Sequence, residues 1–155
     1  MRLWRISRSR HARRPLSGRG GLFASGRWHS RGRRIVYTSS TLSLAALEVL
    51  VHTDRDLLPD DLVQIEIEIP NEISMKSILA RALPRNWRAY PGPPILRELG
   101  DEWLDGAESA VLRVPSAVIP QEHNFLLNPA HPEAARFRVV SRSRFVLDPR
   151  LLQGS

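Results

Sequence analysis

The most regular stretch of the chain is Asp61–Ile69, where Val63, Ile65, Ile67 and Ile69 alternate with Gln64, Glu66 and Glu68 before Pro70 stops the run. Strict alternation gives a strand one apolar and one polar face, so a half-exposed strand is predicted over 61–69. Arg34–Ser39 is β-branched and aromatic and predicts a second strand. Ser39, Ser40 and Thr41 then offer N-caps for a helix over about 41–52. Leu3, Trp4 and Ile6 mark a short strand near 3–7, followed by a long loop through Ser17–Gly21. Farther on, 75–82 makes at most a short helix and Pro84 to Pro94 a loop with Trp87 and Tyr90. A helix follows near 94–104, ending at Gly106, and then a strand over Ser109–Val114, stopped by Pro115. Four prolines in 115–134 point to a long ordered loop, and Arg136–Val140 and Arg144–Leu147 to closing strands. With no internal repeat and no linker, these elements make a single mixed α/β domain over 1–155.

Composition narrows the class. A chain of 155 residues with 42% hydrophobic and 25% charged residues is long enough for a core and globular in kind. The absence of cysteine excludes disulfide scaffolds, thiolate nucleophiles and cysteine-ligated metal. No apolar run approaches the ~18 residues of a membrane span, and the basic N-terminus lacks the apolar stretch of a signal peptide, so a cytoplasmic location is expected. Charge is uneven. All but Lys76 of the 23 basic residues are arginine, eleven of them within 1–34, and the first acid is Glu48. Residues 1–47 thus carry a formal +11 and the remainder −4. That asymmetry suggests an anionic partner: nucleic acid, a phosphate-bearing ligand or an acidic protein.

Three places hold candidate chemistry. Glu48 is the only ionisable side chain in Leu42–Val51, a segment apolar on nearly every helical face, and is therefore expected to be buried. A carboxylate there is either a structural ion pair or a group held in a pocket for function. In Ser25-Gly26-Arg27-Trp28-His29, Gly26 lets backbone approach a ligand, Arg27 can bind a pyrophosphate bidentately, and Trp28 or the later Tyr37 can stack a base. There is no GxxxxGK[ST] and no GxGxxG between strand and helix. Ser116 follows a strand end but lacks a GxSxG elbow, which argues against a covalent nucleophile. His123 and His131 lack the spacing of a zinc site; with Asn124 and Asn128 they lie in the proline-rich loop, where Asn124, Asn128 and His131 are expected to bond to backbone.

Taken together, Gly26-Arg27-Trp28, Val36-Tyr37-Thr38-Ser39, Leu44-Ala45-Ala46-Leu47-Glu48-Val49-Leu50-Val51-His52, Trp87-Arg88, Val114-Pro115-Ser116 and Asn124-Phe125-Leu126-Leu127-Asn128-Pro129-Ala130-His131-Pro132 resemble the RES domain family. These are toxins paired with an Xre-like helix-turn-helix antitoxin, and the resemblance runs from Leu3-Trp4-Arg5 to Asp148-Pro149-Arg150. It departs at His29, where the family usually has Asn, at Trp4, commonly Tyr, and at Arg19, more often acidic.

The resemblance implies a split mixed sheet similar to that of ADP-ribosyltransferases. It also implies NAD⁺ as substrate, with cleavage of the nicotinamide–ribose bond and transfer of ADP-ribose to water, phosphate or a protein. On that chemistry Glu48 supplies a fixed anion beside an oxocarbenium-like ribose or grips a ribose hydroxyl. Arg5 and Arg27 neutralise the pyrophosphate, and Tyr37 stacks the nicotinamide or adenine ring. Ser116 meets the nicotinamide amide, Asn124 joins the binding set, and no metal is required because nicotinamide leaves neutral. The implied partners are the antitoxin and a second copy in a homodimer, with nucleic acid reached only through the antitoxin. The competing reading is a non-catalytic basic domain docking nucleic acid or an acidic protein.

Overall fold

Leu3, Ile65 and Ile67 are fully buried, and pairing of their strands explains how. β1 (Arg2–Arg8) and β3 (Leu62–Glu68) run antiparallel along their whole length, from Arg2↔Glu68 to Arg8↔Leu62, with Leu3 opposite Ile67. The alternation of 61–69 is realised as drawn, its isoleucines inward and its glutamates on the other face. The computed structural model describes residues 1–152.

Two further strands flank the centre: β2 (Val36–Ser39), and β7 (Arg138–Arg144) on the outer edge of β3. The remainder are β4 (Met75–Ser77), β5 (Val111–Pro115) and β6 (His123–Leu127). The seven strands lie in the order β4-β5-β6-β2-β1-β3-β7, antiparallel except for β4 beside β5. The sheet is therefore mixed. It is also split, because β1 meets β2 only at Trp4↔Ser39.

Apolar side chains fill both faces. Leu3, Val36, Ile65, Ile67, Val111 and Leu127 build one core, over which α1 (Ser9–Ala12) and the following turn place Ala12 and Leu16. Trp28, Ile35, Leu112 and Leu126 build the other, against Leu96 and Trp103 of α3 (Pro94–Gly106). Gly100 of α3 lies so close to the Trp28 carbonyl that a Cβ would collide with it, which fixes the 26–29 loop on that helix. α2 (Leu42–His52) is capped by Thr41, whose hydroxyl accepts from the Leu44 amide.

Four expectations are corrected. Met75–Ser77 is a strand, exposed and polar, because its pairing with β5 is a tertiary fact that local pattern does not carry. Residues 115–134 are not all loop: β6 sits between β5 and β2 with Phe125, Leu126 and Leu127 buried. A strand covered on both faces has no alternation to reveal it, and its prolines fall outside 123–127. The two closing strands are one, Arg138–Arg144, with a register shift at Val140, opposite Glu66/Ile67. Finally, α2 is apolar without being enclosed: Leu44 and Ala45 are buried, but Val51 is 57% exposed.

The arginine-rich N-terminal segment is not a loose arm. It forms β1, α1 and a short 3₁₀ turn at Arg19–Leu22, and Arg2, Arg8 and Arg33 are paired with Glu66 and Glu68, Asp61, and Asp101 and Asp105. Arg13, Arg14 and Arg19 are exposed.

Candidate active site

Where β1 and β2 part, a cavity of about 860 Å³ opens. Trp4, Arg5 and Ile6 line it from β1, Tyr37, Thr38 and Ser39 from β2, Glu48 and His52 from α2, and Arg27 from the 26–29 loop. Strand separation accounts for the opening, since two strands joined at a single residue pair leave room between them for side chains.

Glu48 is held on one side and open on the other. Its Oε1 accepts from Asn124 Nδ2 at 2.6 Å and from Ser116 Oγ at 3.0 Å. Its Oε2 has no hydrogen-bond donor among the described residues; the nearest cation-forming group is His52 Nδ1 at 3.9 Å. The side chain is 23% exposed, so it is a partly buried carboxylate whose supports are neutral and whose second oxygen faces the cavity. Asn124 is fixed in turn, because its Oδ1 accepts from Ser39 Oγ at 2.8 Å. The expected backbone bonding of the 123–131 segment is found at Asn128 and His131, which accept from the Ala130 and Glu133 amides, but not at Asn124.

Ser116 lies deeper than the cavity wall. It is fully buried, donates its proton to Glu48 and accepts from the Val118 and Ile119 amides. Its hydroxyl is thus spent on orienting the carboxylate, and the wall beside it is made by Pro115 and Ala117.

Three guanidinium groups reach the cavity without a carboxylate partner among the described residues, those of Arg5, Arg27 and Arg88, the last donating through Nε to the Ala117 carbonyl at 3.0 Å. Arg5 Nη1 donates to the Tyr37 carbonyl across the split, while its Nε is buried with no partner among the described residues. Burial holds its pKa below the ordinary arginine value, though arginine stays charged. Arg27 donates through Nη1 to the Trp87 and Ala89 carbonyls, at 2.8 and 3.1 Å, and through Nη2 to Ala89 at 3.2 Å. Desolvation lowers its pKa, and Glu48 is the first of the opposing charges. A cation steadied by neutral carbonyls keeps its charge for an incoming anion.

Tyr37 is set by three neighbours. Its hydroxyl accepts from the Trp28 amide at 3.2 Å and lies 2.8 Å from His29 Nδ1. His29 Nε2 stands 2.9 Å from the Ala24 carbonyl, which can only accept, so neutral His29 donates there and accepts at Nδ1 the hydrogen bond of the Tyr37 hydroxyl. Burial depresses the His29 pKa and pushes the Tyr37 phenol well above its usual range, so both stay neutral. The tight loop explains Gly26: a Cβ would stand 2.6 Å from Tyr37 Oη and 2.9 Å from the His29 ring. Tyr37 remains part of the cavity lining.

The structure thus brings Arg5, Arg27, Tyr37, Glu48 and Asn124 to one cavity and sets Ser116 behind it. Sequence reasoning missed Ser39 as the support of Asn124. It also missed His52 and Tyr90 as cavity residues; the signal for His52 was its place four residues after Glu48, on the same helical face. His123 lies apart from His131's turn and meets Arg113 Nη2 at 3.2 Å. No helix among the described residues is long and apolar enough to cross a membrane.

Known proteins are similar to the chain over most of its length. The chain is 39% identical over 155 residues to "Toxin Res" of Photorhabdus laumondii, covering 99% of this chain and 98% of that protein. It is 40% identical over 153 residues to "Toxin Res" of Pseudomonas putida, covering 97% and 99%. The "Prs ADP-ribosylating toxin" of Sphingobium sp. is 36% identical over 140 residues, covering 89% and 87%. Among solved structures, the M. tuberculosis MbcT–MbcA toxin–antitoxin complex matches in fold with a TM-score of 0.76 over 97% of this chain and 86% of that one, at 15% identity. The RES domain family model matches residues 2–148, from the first residue of β1 to just beyond β7. With the family model spanning 2–148 and three relatives at 36–40% identity over most of their length, the chain belongs to the RES domain family.

Proposed function

We propose that this protein is the toxin of a toxin–antitoxin pair and consumes NAD⁺, breaking the nicotinamide–ribose bond and passing ADP-ribose to water, phosphate or a protein. The observation that carries the reading is Glu48, with Oε1 fastened by Asn124 and Ser116 and Oε2 open to a cavity that also takes Arg5 and Arg27. The relative named as an ADP-ribosylating toxin supports the same chemistry.

Loss of a cationic pyridinium from ribose builds positive charge at the anomeric carbon. A fixed carboxylate stabilises that charge more in the transition state than in the ground state, which is what accelerates the step. Asn124 and Ser116 hold Glu48 in place beforehand, so little reorganisation is needed when charge develops. Among the described residues, Arg5 has a buried unpartnered Nε and Arg27 no acidic partner, and the two supply cations for the two phosphates. The Tyr37 ring offers a stacking face, its hydroxyl being tied to His29 and Trp28. No step calls for a metal, since nicotinamide departs neutral.

The partner on this reading is an Xre-like antitoxin, through which alone the toxin meets nucleic acid, and the toxin itself forms a homodimer. The test is incubation with NAD⁺ while free nicotinamide is measured, with mass spectrometry of the products in buffer, in phosphate and in cell lysate. Release of nicotinamide with an ADP-ribosyl product is expected. Intact NAD⁺ under all three conditions would sink the proposal.

A further inference from the structure

His52 lines the cavity one helical turn after Glu48, and the reading above gives it no task. Its Nδ1 stands 2.7 Å from the Glu48 main-chain carbonyl. A carbonyl oxygen only accepts, so Nδ1 carries the proton of this bond, and the neutral ring bears its lone pair on Nε2. Nε2 has no hydrogen-bond partner among the described residues. The same ring lies with Nδ1 3.9 Å from Glu48 Oε2 and edge-on to Tyr90, with ring centroids 6.4 Å apart. Tyr90 is itself 83% exposed and lines the same opening. The ring is thus oriented at both ends, open to solvent, and beside the free oxygen of the carboxylate. The other charged or titratable groups lining the cavity are Arg5, Arg27, Tyr37 and Arg88. The three arginines have no proton-accepting site, and the Tyr37 hydroxyl is engaged as hydrogen-bond donor to His29 and acceptor from the Trp28 amide.

Resting on the proposed NAD⁺ cleavage, we infer that His52 is the general base for the acceptor, and that the acceptor it serves is a neutral hydroxyl, water in the simplest case. The bond from C1′ to the pyridinium nitrogen breaks and its electron pair leaves with neutral nicotinamide. The acceptor oxygen forms the new bond to C1′, and its proton passes to His52 Nε2 and then to solvent. Glu48 keeps its charge throughout and faces the ribose. The two roles fall to adjacent groups because positions four apart on α2 share a face.

Transfer needs a proton removed from the acceptor; return of nicotinamide to the sugar does not. The full-length protein is therefore given NAD⁺ and isotopically labelled nicotinamide, and ADP-ribose and labelled NAD⁺ are both followed. In His52→Ala, ADP-ribose formation is expected to fall by about 10²-fold, as for loss of a general base, while label still enters NAD⁺. The ratio of exchange to transfer then rises by the same factor, and His52→Gln is expected to behave alike. Added imidazole is expected to restore transfer in His52→Ala, and a triazole of equal size but weaker basicity is not. In the wild-type protein, acidification should raise the same ratio, because a protonated base accepts no further proton, a readout that needs no variant to fold. Parallel loss of both products in the variants, equal rescue by the two additives, or a wild-type ratio flat with pH would overturn the role of His52 alone. A wild-type protein that neither transfers nor exchanges would overturn the NAD⁺ reading with it.

Discussion

β1 has two neighbours and treats them differently. Toward β3 it is paired at every residue from Arg2 to Arg8, and the side chains at this seam, Leu3, Ile65 and Ile67, are wholly buried. Toward β2 it is paired only at Trp4↔Ser39, and the seam opens into the cavity. On the open side the Tyr37 carbonyl takes its hydrogen bond from a side chain, Arg5 Nη1. Main-chain polar groups must be satisfied somewhere, and when a side chain does it the strands stay apart. One strand thus seals the core along one edge and lines the cavity along the other.

Substitutions on the two edges should separate these properties. The largest effect on chemistry is expected at Glu48→Gln, which keeps the shape and removes the charge. Nicotinamide release should fall by about 10²–10³, as when a preorganised electrostatic group is lost, with an unchanged circular dichroism spectrum and melting point. Wild-type release rates would remove Glu48 from the mechanism, and an unfolded variant would make it a structural group. On the closed edge, Ile65→Ala should do the reverse. Truncating a fully buried isoleucine costs ~2–5 kcal/mol, read as a lower denaturant midpoint, while activity per folded molecule stays at the wild-type level.

A smaller change tests the cation opposite Glu48. Arg27→Lys retains charge but not the planar fork that grips the Trp87 and Ala89 carbonyls, so KM should rise and turnover fall. A loss of about tenfold in kcat/KM corresponds to one charged hydrogen bond of ~1.5 kcal/mol. Kinetics equal to the wild type would show that Arg27 clamps no phosphate. The smallest effect is expected away from both edges. Arg13 and Arg14 are exposed and form no ion pair among the described residues. Reversing both to Glu should weaken binding of an acidic antitoxin segment several-fold, more at low ionic strength, and leave NAD⁺ cleavage by the free toxin untouched. Unaltered antitoxin affinity at low salt would dismiss that surface, and lost cleavage would place the pair in the site.

Local pattern carried much of the framework. The alternation of 61–69, the β-branched run ending at Ser39, and the capped helix from Leu42 are all found where their side chains demand them. Glu48 stood out as the one ionisable group in an apolar helix, and Gly26-Arg27-Trp28 as a glycine loop bearing a cation. What it could not show was β6, whose Phe125, Leu126 and Leu127 are covered on both faces and so leave no period, or β4, which exists only because β5 lies beside it. The role of Ser116 was equally hidden, because a hydroxyl is spent on whichever acceptor the fold brings within 3 Å, and that acceptor lies 68 residues earlier in the chain.

By itself, then, the amino-acid sequence determined the faces of its strands and helices, the excess of N-terminal arginine and the chemical identity of the candidate groups, since these depend on spacing and residue type alone. Only the tertiary structure decided that β1 and β2 diverge after a single pair, and that two of eleven arginines enter the gap uncompensated by carboxylates. It also decided that Asn124 and Ser116 grip one oxygen of Glu48 and leave the other open. Those outcomes depend on which distant segments share a hydrogen bond, and no local period records that.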